Sequence, residues 1–285
     1  MLGQVDAKKI DKDVKKTKES IKMRINTNIN AMVAANHMAK NTALSGKSME
    51  KLSSGLRINK AGDDAAGLAI SEKMRSQIRG MEQADRNVQD GISLVQTAEG
   101  ALGEAGNIIQ RMRELGIEAG NTTLETADRE KIAVELDQLQ KEIGKIASEA
   151  KFNNKAIFSK DTVTIQAGAN HETRTFVVGT LATSVTSKVG TTAEASVVVK
   201  NATSDLAAIN KKRAELGAVQ NRLEYTSSNL ITSTENLSAA ESRIRDVDVA
   251  KEMVKLSKLN ILNQASQAMV AQAKQQPESV AQLLR

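Results

Sequence analysis

The sequence predicts a mainly α-helical protein, built as a long antiparallel helical bundle or coiled-coil rod with a small β-hairpin region. Its 285 residues include three Phe, one Tyr and no Trp, although aromatic side chains usually supply much of the buried area of a compact core. The single proline, Pro277, leaves almost nothing to interrupt a helix. Apolar residues also recur at helical spacing in several segments. Together these observations indicate long helices that pack side by side.

The most regular segment lies towards the C-terminal end. Six apolar residues recur there at intervals of seven, and the seam three residues further on is small or polar, from Lys212 and Val219 to Ala240. This stripe predicts a helix that packs closely against a partner. From residue 209 to 244 it would be roughly 54 Å long, at about 1.5 Å per residue. The residues predicted to pack in the bundle are Ile209, Leu216, Leu223, Leu230, Leu237 and Ile244.

Two further segments, 92–112 and 132–146, carry apolar residues at spacings of three and four, which is typical of amphipathic helices. Gly120 and the three polar residues after it indicate that one helix ends and the next begins there. We therefore predict that the two segments form an antiparallel hairpin, with the stripe at 209–244 as the third helix of the bundle.

The region at about 160–200 has a different character. Two β-prone runs, 162–165 and 175–178, are separated by a Gly-Ala-Asn stretch, which favours a short β-hairpin. From 180 to 196 the chain is dominated by Thr, Ser, Ala and Val. This part is predicted to be an exposed, weakly structured cap on the bundle.

The terminal segments 24–52 and 246–276 are amphipathic but rich in Asn, Gln, Ser and Ala. Isolated helices without tertiary packing are marginal in water. We therefore expect these ends to become ordered when they bury their apolar residues against neighbouring molecules. The residues predicted to pack at the ends are Ile25, Ile29, Met32, Leu256, Leu259 and Leu262.

Residues 1–22 form a basic leader, with seven Lys against four acidic residues, whereas the rest of the chain carries 33 basic and 30 acidic residues. The leader lacks the aromatic residues that stack on bases, so we expect a solvated tail and no nucleic-acid partner. It is interpreted as disordered or non-native, from a misassigned start codon or a cloning remnant rather than a real extension. The sequence shows neither a membrane-spanning run nor the apolar core of a signal peptide, so no membrane insertion is expected.

The residues that could carry chemistry are few. Asp63 and Asp64 are adjacent carboxylates of the kind that hold a hard cation, but the glycines around them indicate a tight structural turn. His37 and His171 are isolated from any Ser, Asp or metal-ligand pattern. Cysteine is absent, which removes disulfides and thiolate sites. We therefore predict a protein that is not an enzyme and uses no cofactor or metal.

Motifs at both ends of the chain resemble those of the bacterial flagellin family. They include the run MRINTNINA at 23–31 and the run AGDDAAGLAI at 61–70, which resembles the family's most distinctive stretch. The resemblance covers nearly all of residues 23–160 and 205–285. The other segments that carry it are 53–59, 263–265, 271–273 and 280–285.

This resemblance implies a structural subunit that polymerises into the bacterial flagellar filament for motility. It implies a terminal coiled-coil core domain, formed by residues 23–60 with 246–285, and a helical bundle domain at 61–245. The alternatives are a hook-filament junction protein, which shares the terminal pattern, and, less favoured, a coiled-coil adaptor.

The resemblance also implies the partners. The main partner would be the chain itself, in a helical homopolymer. The subunit would be secreted through the flagellar type III export apparatus with an export chaperone, and it would meet hook-filament junction and filament cap proteins outside the cell. Only about forty residues separate the two helical halves, so large outer domains are expected to be missing. The run at 165–170 resembles the hairpin of other short flagellins.

Two surface features are also carried over from the family. The segment 110–115 resembles the one recognised by the vertebrate innate-immune flagellin receptor, and the matching positions are Arg111 and Leu115, with Glu142 on the facing helix. Some flagellins carry O-linked sugars on exposed hydroxyl residues. The candidate O-glycosylation positions here are Thr183, Ser184, Thr186, Ser187, Thr191 and Thr192.

Overall fold

The computed structural model describes residues 28–283, and it describes side chains as far as residue 275. Within that range the chain forms five helices and two pairs of short antiparallel strands, which confirms the predicted fold class. The helices are α1 (Ile29–Ser54), α2 (Ala65–Ala119), α3 (Thr126–Glu149), α4 (Thr192–Arg245) and α5 (Val249–Leu283). The strands are β1 (Lys151–Phe152), β2 (Lys155–Ala156), β3 (Val163–Gln166) and β4 (Thr173–Phe176).

The described residues divide into two compact units. The terminal unit contains residues 28–68 and 244–283, and the central unit contains residues 69–243. The terminal unit therefore brings together the two parts of the chain that lie furthest apart in sequence, whereas the central unit is one continuous stretch.

The core of the central unit begins with the hairpin of α2 and α3. The guanidinium of Arg129, in the first turn of α3, donates to the carbonyl oxygens of Ala119 at 3.1 Å and Asn121 at 3.0 Å. These bonds satisfy carbonyls that have no partner within α2 once that helix ends. The buried residues that the two helices contribute include Val95, Ala98, Leu102, Ala105, Ile109, Met112, Ile132, Leu136 and Ile143.

Helix α4 completes this core and runs antiparallel to α2. The Ser227 hydroxyl on α4 donates to the Asp85 carboxylate at 2.5 Å, and further along the two helices Arg213 pairs with Glu99 at 3.4 Å. The predicted apolar stripe of α4 thus shares one core with the hairpin of α2 and α3.

The hairpin of β3 and β4 packs on α2 at two glycines. A Cβ atom added at Gly91 would lie 2.1 Å from Cδ1 of Ile165, and one added at Gly80 would lie 2.8 Å from Cβ of Ala169. Real Cβ atoms do not approach other heavy atoms so closely, because the interior is already packed to its van der Waals limits. Position 80 therefore requires glycine for the hairpin backbone to reach the helix, whereas at Gly91 the end of the Ile165 side chain would have to shift.

A second, smaller hairpin, β1–β2, was not predicted from the sequence. Phe152 pairs with Lys155, and the two residues between them, Asn153 and Asn154, have φ angles of 47° and 63°. Positive φ at both central positions defines the two-residue turn that matches the twist of paired strands, and Asn tolerates it better than most residues. The Asn-Asn pair was the feature of the sequence that could have indicated this turn.

The segment that precedes α4 corrects the prediction of an exposed cap. It has no helix or strand, but Leu181, Val185 and Val189 are only 9%, 1% and 1% exposed and belong to the core. Lys212 on α4 also donates to the carbonyl oxygen of Thr180, and burial lowers the pKa of this lysine. The sequence did not indicate their burial, because these three apolar residues, spaced by four, lie among Thr and Ser.

Part of the Ser/Thr-rich region starts a helix. The Thr191 hydroxyl accepts from the backbone N–H of Glu194 at 3.3 Å, and the Glu194 carboxylate accepts from the backbone N–H of Thr191 at 3.0 Å. This reciprocal pair is a capping box, which satisfies backbone donors at a helix start. It explains why α4 begins at Thr192, well before the stripe at 209–244.

Candidate assembly surface

The terminal unit is built on the antiparallel pair of α1 and α5. Asn28 fixes one end of the pair, because its side-chain oxygen caps α1 by accepting from the N–H of Ala31 at 3.0 Å. The Nδ2 atom of the same residue donates to the carbonyl oxygen of Ala273 on α5 at 2.6 Å. At the other end Leu56 and Asp246 form an antiparallel β-bridge. The pair is therefore tied at both ends by residues outside its packed middle.

The two helices meet along what we call the inner seam. Its members are buried or half-buried and recur at spacings of three and four on each helix, as in a coiled coil. On α1 the inner seam contains Ala31, Ala34, Met38, Asn41, Ser45, Ser48 and Leu52. On α5 it contains Glu252, Leu256, Leu259, Asn263, Ser266, Val270 and Ala273. Small and polar residues thus fill much of the contact within the chain.

Large apolar residues lie mainly outside the inner seam, and we call these the outer apolar residues. They are between 38% and 71% exposed. Those on α1 are Ile29, Met32, Val33, Leu44 and Met49, and those on α5 are Val249, Met253, Val254, Ile261, Leu262 and Met269. Exposed apolar residues gathered on two adjacent helices are typical of a protein–protein interaction surface.

The residues predicted to pack at the chain ends fall into both groups. Leu259 is 7% exposed and Leu256 is half-buried, so both pack within the chain. By contrast, Ile29, Met32 and Leu262 are 51%, 54% and 40% exposed. The sixth predicted residue, Ile25, lies outside the described residues.

Two connecting segments of the terminal unit lie side by side, the first connector at 55–64 and the second connector at 246–248. Gly55 ends α1 with a φ of 73°, the left-handed conformation that glycine adopts without steric cost. Its carbonyl oxygen accepts from the N–H of Val247 at 3.0 Å, and the N–H of Arg57 donates to the carbonyl oxygen of Arg245 at 2.6 Å. The backbone of the first connector is therefore fixed against the backbone of the second.

The acidic pair of the first connector has two structural roles. The Asp63 carboxylate accepts from the N–H groups of Asn59 at 3.2 Å and Lys60 at 3.1 Å, which closes the loop. Asp64 accepts from the N–H of Gly67 at 2.8 Å and so caps the first turn of α2. Hydrogen bonds from the backbone of Lys60 and Asn59 hold the pKa of Asp63 below its ordinary value. Each carboxylate is thus engaged with a different backbone segment.

The residues of the predicted bundle stripe all lie on α4. Four of its members, Ile209, Leu216, Leu223 and Leu230, are at most 7% exposed. The next, Leu237, is half-buried against the same core. The last member, Ile244, is half-buried and belongs to the terminal unit.

The residues carried over for receptor recognition do not all reach the surface. Leu115 is 2% exposed and belongs to the core. Arg111 is exposed and donates from Nε and Nη2 to one oxygen of Glu135 on α3, at 3.1 Å and 3.0 Å. Glu142 lies further along α3 and pairs instead with Lys145 at 3.4 Å. The exposed ion pair here joins Arg111 to Glu135, and receptor recognition stays a prediction.

Three of the candidate glycosylation residues use their hydroxyl groups in hydrogen bonds, Thr183 and Ser184 with Asp205 and Thr191 in the capping box of α4. The Asp205 carboxylate on α4 accepts from the Thr183 hydroxyl at 2.9 Å and from the Ser184 hydroxyl and N–H at 2.6 Å each. Thr191 and Thr192 lie at the start of α4. Thr186 is exposed and Ser187 is half-buried. Glycosylation stays a prediction, and at Thr183, Ser184 and Thr191 it would compete with these hydrogen bonds.

The remaining features named in the sequence are readily located. His37 is exposed on α1, and His171 is exposed in the turn between β3 and β4, with a φ of 61°. In the part of the chain that the structure describes, no helix has both the length and the apolar character to cross a bilayer.

Comparison with known proteins identifies the family. The chain matches the bacterial flagellin N-terminal helical region over residues 25–162 and the C-terminal helical region over residues 199–284. The flagellin of Halalkalibacterium halodurans is 50% identical over 272 residues, which cover 92% of this chain and 100% of that protein. The flagellar filament 33 kDa core protein of Treponema phagedenis is 46% identical over 286 residues, with the same coverage. The crystal structure of Bacillus cereus flagellin superposes with a TM-score of 0.48 at 30% identity, over 55% of this chain and 94% of that one. The chain therefore belongs to the bacterial flagellin family, a family of structural proteins.

Proposed function

We propose that this protein is a structural subunit that polymerises into the bacterial flagellar filament. The observation that carries this proposal is the terminal unit, in which small and polar residues fill much of the inner seam and many large apolar residues remain exposed on both helices. Family membership supports it, as do relatives named flagellin and filament core protein. On this proposal the outer apolar residues are covered by a second copy of the same chain.

Assembly on this proposal would be driven by burial of the outer apolar residues. Fully burying one large apolar side chain contributes about 1.5–3 kcal/mol, and several residues such as Val254 and Ile261 are more than half exposed. The gain would offset the conformational entropy lost when the chain ends become fixed. The role is mechanical, and it requires no catalytic group.

The finer partners follow from the same proposal. The subunit would be secreted through the flagellar type III export apparatus with the help of an export chaperone. Outside the cell it would add to the filament beneath a cap protein, and the filament would grow from hook-filament junction proteins. The filament subunit itself would be the most abundant of these partners.

Removal of residues 263–285 tests the proposal. The truncated protein loses the second half of α5 and with it the outer apolar residue Met269, so we expect it to form no filaments. The core of the central unit lies within residues 69–243, so its thermal unfolding should be unchanged. Filaments of normal length from this truncation, observed by electron microscopy, would contradict the proposal.

Mass spectrometry of filaments sheared from cells that carry the gene provides the second test. The protein should be the main component, at 30.6 kDa or lighter by the mass of residues 1–22. A small number of copies per filament would indicate a junction protein instead. Complete absence from the filaments would favour a soluble adaptor.

A further inference from the structure

The two hairpins of the central unit border one cavity, which we call the hairpin groove. Its volume is about 640 Å³, within the range of about 300–1,000 Å³ that is usual for ligand pockets. Residues of β1, β2 and β3, the loop between β2 and β3, and one residue of α2 line it. The apolar residues among them are Leu94, Phe152, Ala156, Ile157 and Val163.

Strands β2 and β3 each bring an unpaired edge to this groove. Each hairpin is a sheet of two strands, so among the described residues β2 pairs with β1 alone and β3 with β4 alone. Both β2 and β3 line the groove, whereas β4 contributes none of the lining residues in the described part of the chain. An unpaired strand edge is a template on which a further strand can pair.

The register of the first hairpin shows which backbone groups of β2 point outward. The N–H of Ile157 donates to the carbonyl oxygen of Ala150 at 3.0 Å, and the neighbouring pair is Lys151 with Ala156. Successive pairs of an antiparallel ladder alternate between hydrogen-bonded and non-hydrogen-bonded. The N–H and C=O of Ala156 therefore point away from β1.

The same rule applies to β3. The N–H of Ala167 donates to the carbonyl oxygen of Glu172 at 2.7 Å, and Thr164 pairs with Thr175 three positions further along the ladder. The backbone groups of Thr164 therefore point away from β4. Ala156 and Thr164 both line the groove. A strand placed between β2 and β3 would thus meet outward-pointing backbone groups on both sides.

The charges around the groove indicate what kind of strand fits there. Segment 151–164 contains Lys151, Lys155 and Lys160 but a single acidic residue, Asp161, and all four are exposed. A second copy of the chain, aligned edge to edge, would bring the same lysines together, and lysines on an edge disfavour such pairing. The chain's own residues 1–22 are also basic, with seven Lys against four acidic residues. An acidic strand from another protein is complementary to this surface.

We propose that the hairpin groove binds an extended, acidic peptide segment of another protein as a fifth strand between β2 and β3. Main-chain hydrogen bonds to Ala156 and Thr164 supply affinity in this mode of recognition, and alternate side chains supply specificity. Apolar side chains of the peptide face Leu94 and Ile157, and its acidic side chains face solvent beside Lys155. This interaction is additional to the proposed filament function and does not depend on polymerisation.

Fluorescence anisotropy of a labelled peptide with the full-length free subunit measures the interaction. The probe is a pentapeptide of alternating glutamate and valine with blocked ends, because valine favours an extended chain. Two matched peptides are the controls, one with lysine in place of glutamate and one with methylated backbone nitrogens. Both should bind about tenfold more weakly or worse, since the first loses the charge match and the second its backbone donors. The glutamate peptide should also slow hydrogen exchange at the N–H groups of Ala156 and Thr164.

Two pairs of variants locate the binding site. Thr164→Pro removes an outward-pointing N–H at an edge, where proline is tolerated, and should weaken binding of the glutamate peptide by about tenfold. Thr175→Pro makes the same change on the outer edge of β4 and should leave binding unchanged. Lys155→Glu should weaken binding by about threefold or more, whereas Lys200→Glu, an exposed lysine on α4, should not. The lysine pair keeps the test decisive should the proline variants fail to fold.

Four results would overturn the inference. They are no binding of the glutamate peptide at millimolar concentration, equal binding of the glutamate and lysine peptides, equal affinity in both members of each variant pair, and protection from exchange at sites outside the groove. Self-association of the free subunit that the glutamate peptide abolishes would also overturn it, because the occupant would then be a second copy of the chain.

Discussion

At the scale of single residues, glycines decide how closely backbone segments approach in the central unit. Helix α2 contains several glycines, but they are not equivalent. At Gly80 an added methyl group would meet both Cβ and the backbone Cα of Ala169, at 2.8 Å and 3.1 Å, whereas at Gly100 nothing lies within 4 Å. The same substitution should therefore have opposite effects at the two positions.

We predict that Gly80→Ala lowers the free energy of unfolding of the central unit, because the hairpin backbone has to move. Overpacking costs about 1–3 kcal/mol, and the higher helix propensity of alanine offsets part of that cost. Gly100→Ala is the matched control and should raise the free energy of unfolding by about 0.5–1 kcal/mol, since alanine favours the helix more than glycine does. Urea unfolding of the two variants measures both changes. Equal stabilisation by both would show that the hairpin does not pack closely on α2.

Residue patterns explain what the sequence could predict and what it could not. The heptad stripe from Ile209 to Leu237 was readable because large apolar residues stand at fixed intervals in a polar background. Leu181 and Val185 were missed because they stand among Thr and Ser residues in a stretch without helix or strand. The partner of Arg111 was missed because the residue opposite it depends on where the loop between α2 and α3 ends, and the sequence alone does not fix that register.

At the scale of elements, the first connector depends on one carboxylate. Asp63 closes the loop by accepting from two backbone N–H groups, and these bonds lower its pKa in the folded protein. A lowered pKa in the folded protein means that folding stabilises the ionised carboxylate relative to the protonated carboxyl group. Its stabilisation is therefore present above the ordinary pKa of about 3.9 and is lost as the pH falls through the lower folded value.

We predict that Asp63→Asn removes this pH dependence from the connector. Hydrogen exchange at the N–H groups of Asn59 and Lys60 should be slower in the wild type than in the variant at neutral pH, because the carboxylate is the stronger acceptor. The difference should persist to about pH 5 and vanish below the folded pKa. A difference that is unchanged in strong acid would show that the carboxylate does not hold these groups.

The elements also differ in how well the sequence predicted them. The long helices followed from their apolar period, and β3–β4 followed from β-prone runs on either side of a glycine. The hairpin β1–β2 was missed because strands of two residues carry no alternation, leaving its Asn-Asn turn as the sole local signal. On α1 and α5 the sequence indicated amphipathic helices, but it did not separate the inner seam from the outer apolar residues, because that division requires the observed pairing.

At the scale of the whole molecule, the exposure of α5 leads to a prediction about assembly. Val254 and Ile261 are 71% and 66% exposed and do not contribute to the inner seam. Replacing both with serine should raise the critical concentration for polymerisation by about tenfold or more, since each lost apolar contact weakens association. Sedimentation of filaments over a range of protein concentrations measures this change.

The control for that variant is Lys258→Ser, which changes an exposed polar residue between the two apolar ones. It should polymerise at nearly the wild-type concentration. The thermal unfolding of the central unit should be the same in both variants, because neither change lies within residues 69–243. Unaltered polymerisation of the serine double variant would show that this face of α5 is not covered by a neighbour.

The bond between Asn28 and Ala273 joins residues 245 positions apart, and this separation orders the events of folding in time. The hairpin of α2 and α3 makes contacts such as Arg111 with Glu135, only 24 residues apart, so it can form early, while the rest of the chain is still being made. Contacts between distant residues form late, because a long loop has to close first. The terminal unit must therefore wait until nearly the whole polypeptide is available, so an incomplete chain would have a folded centre but no paired ends.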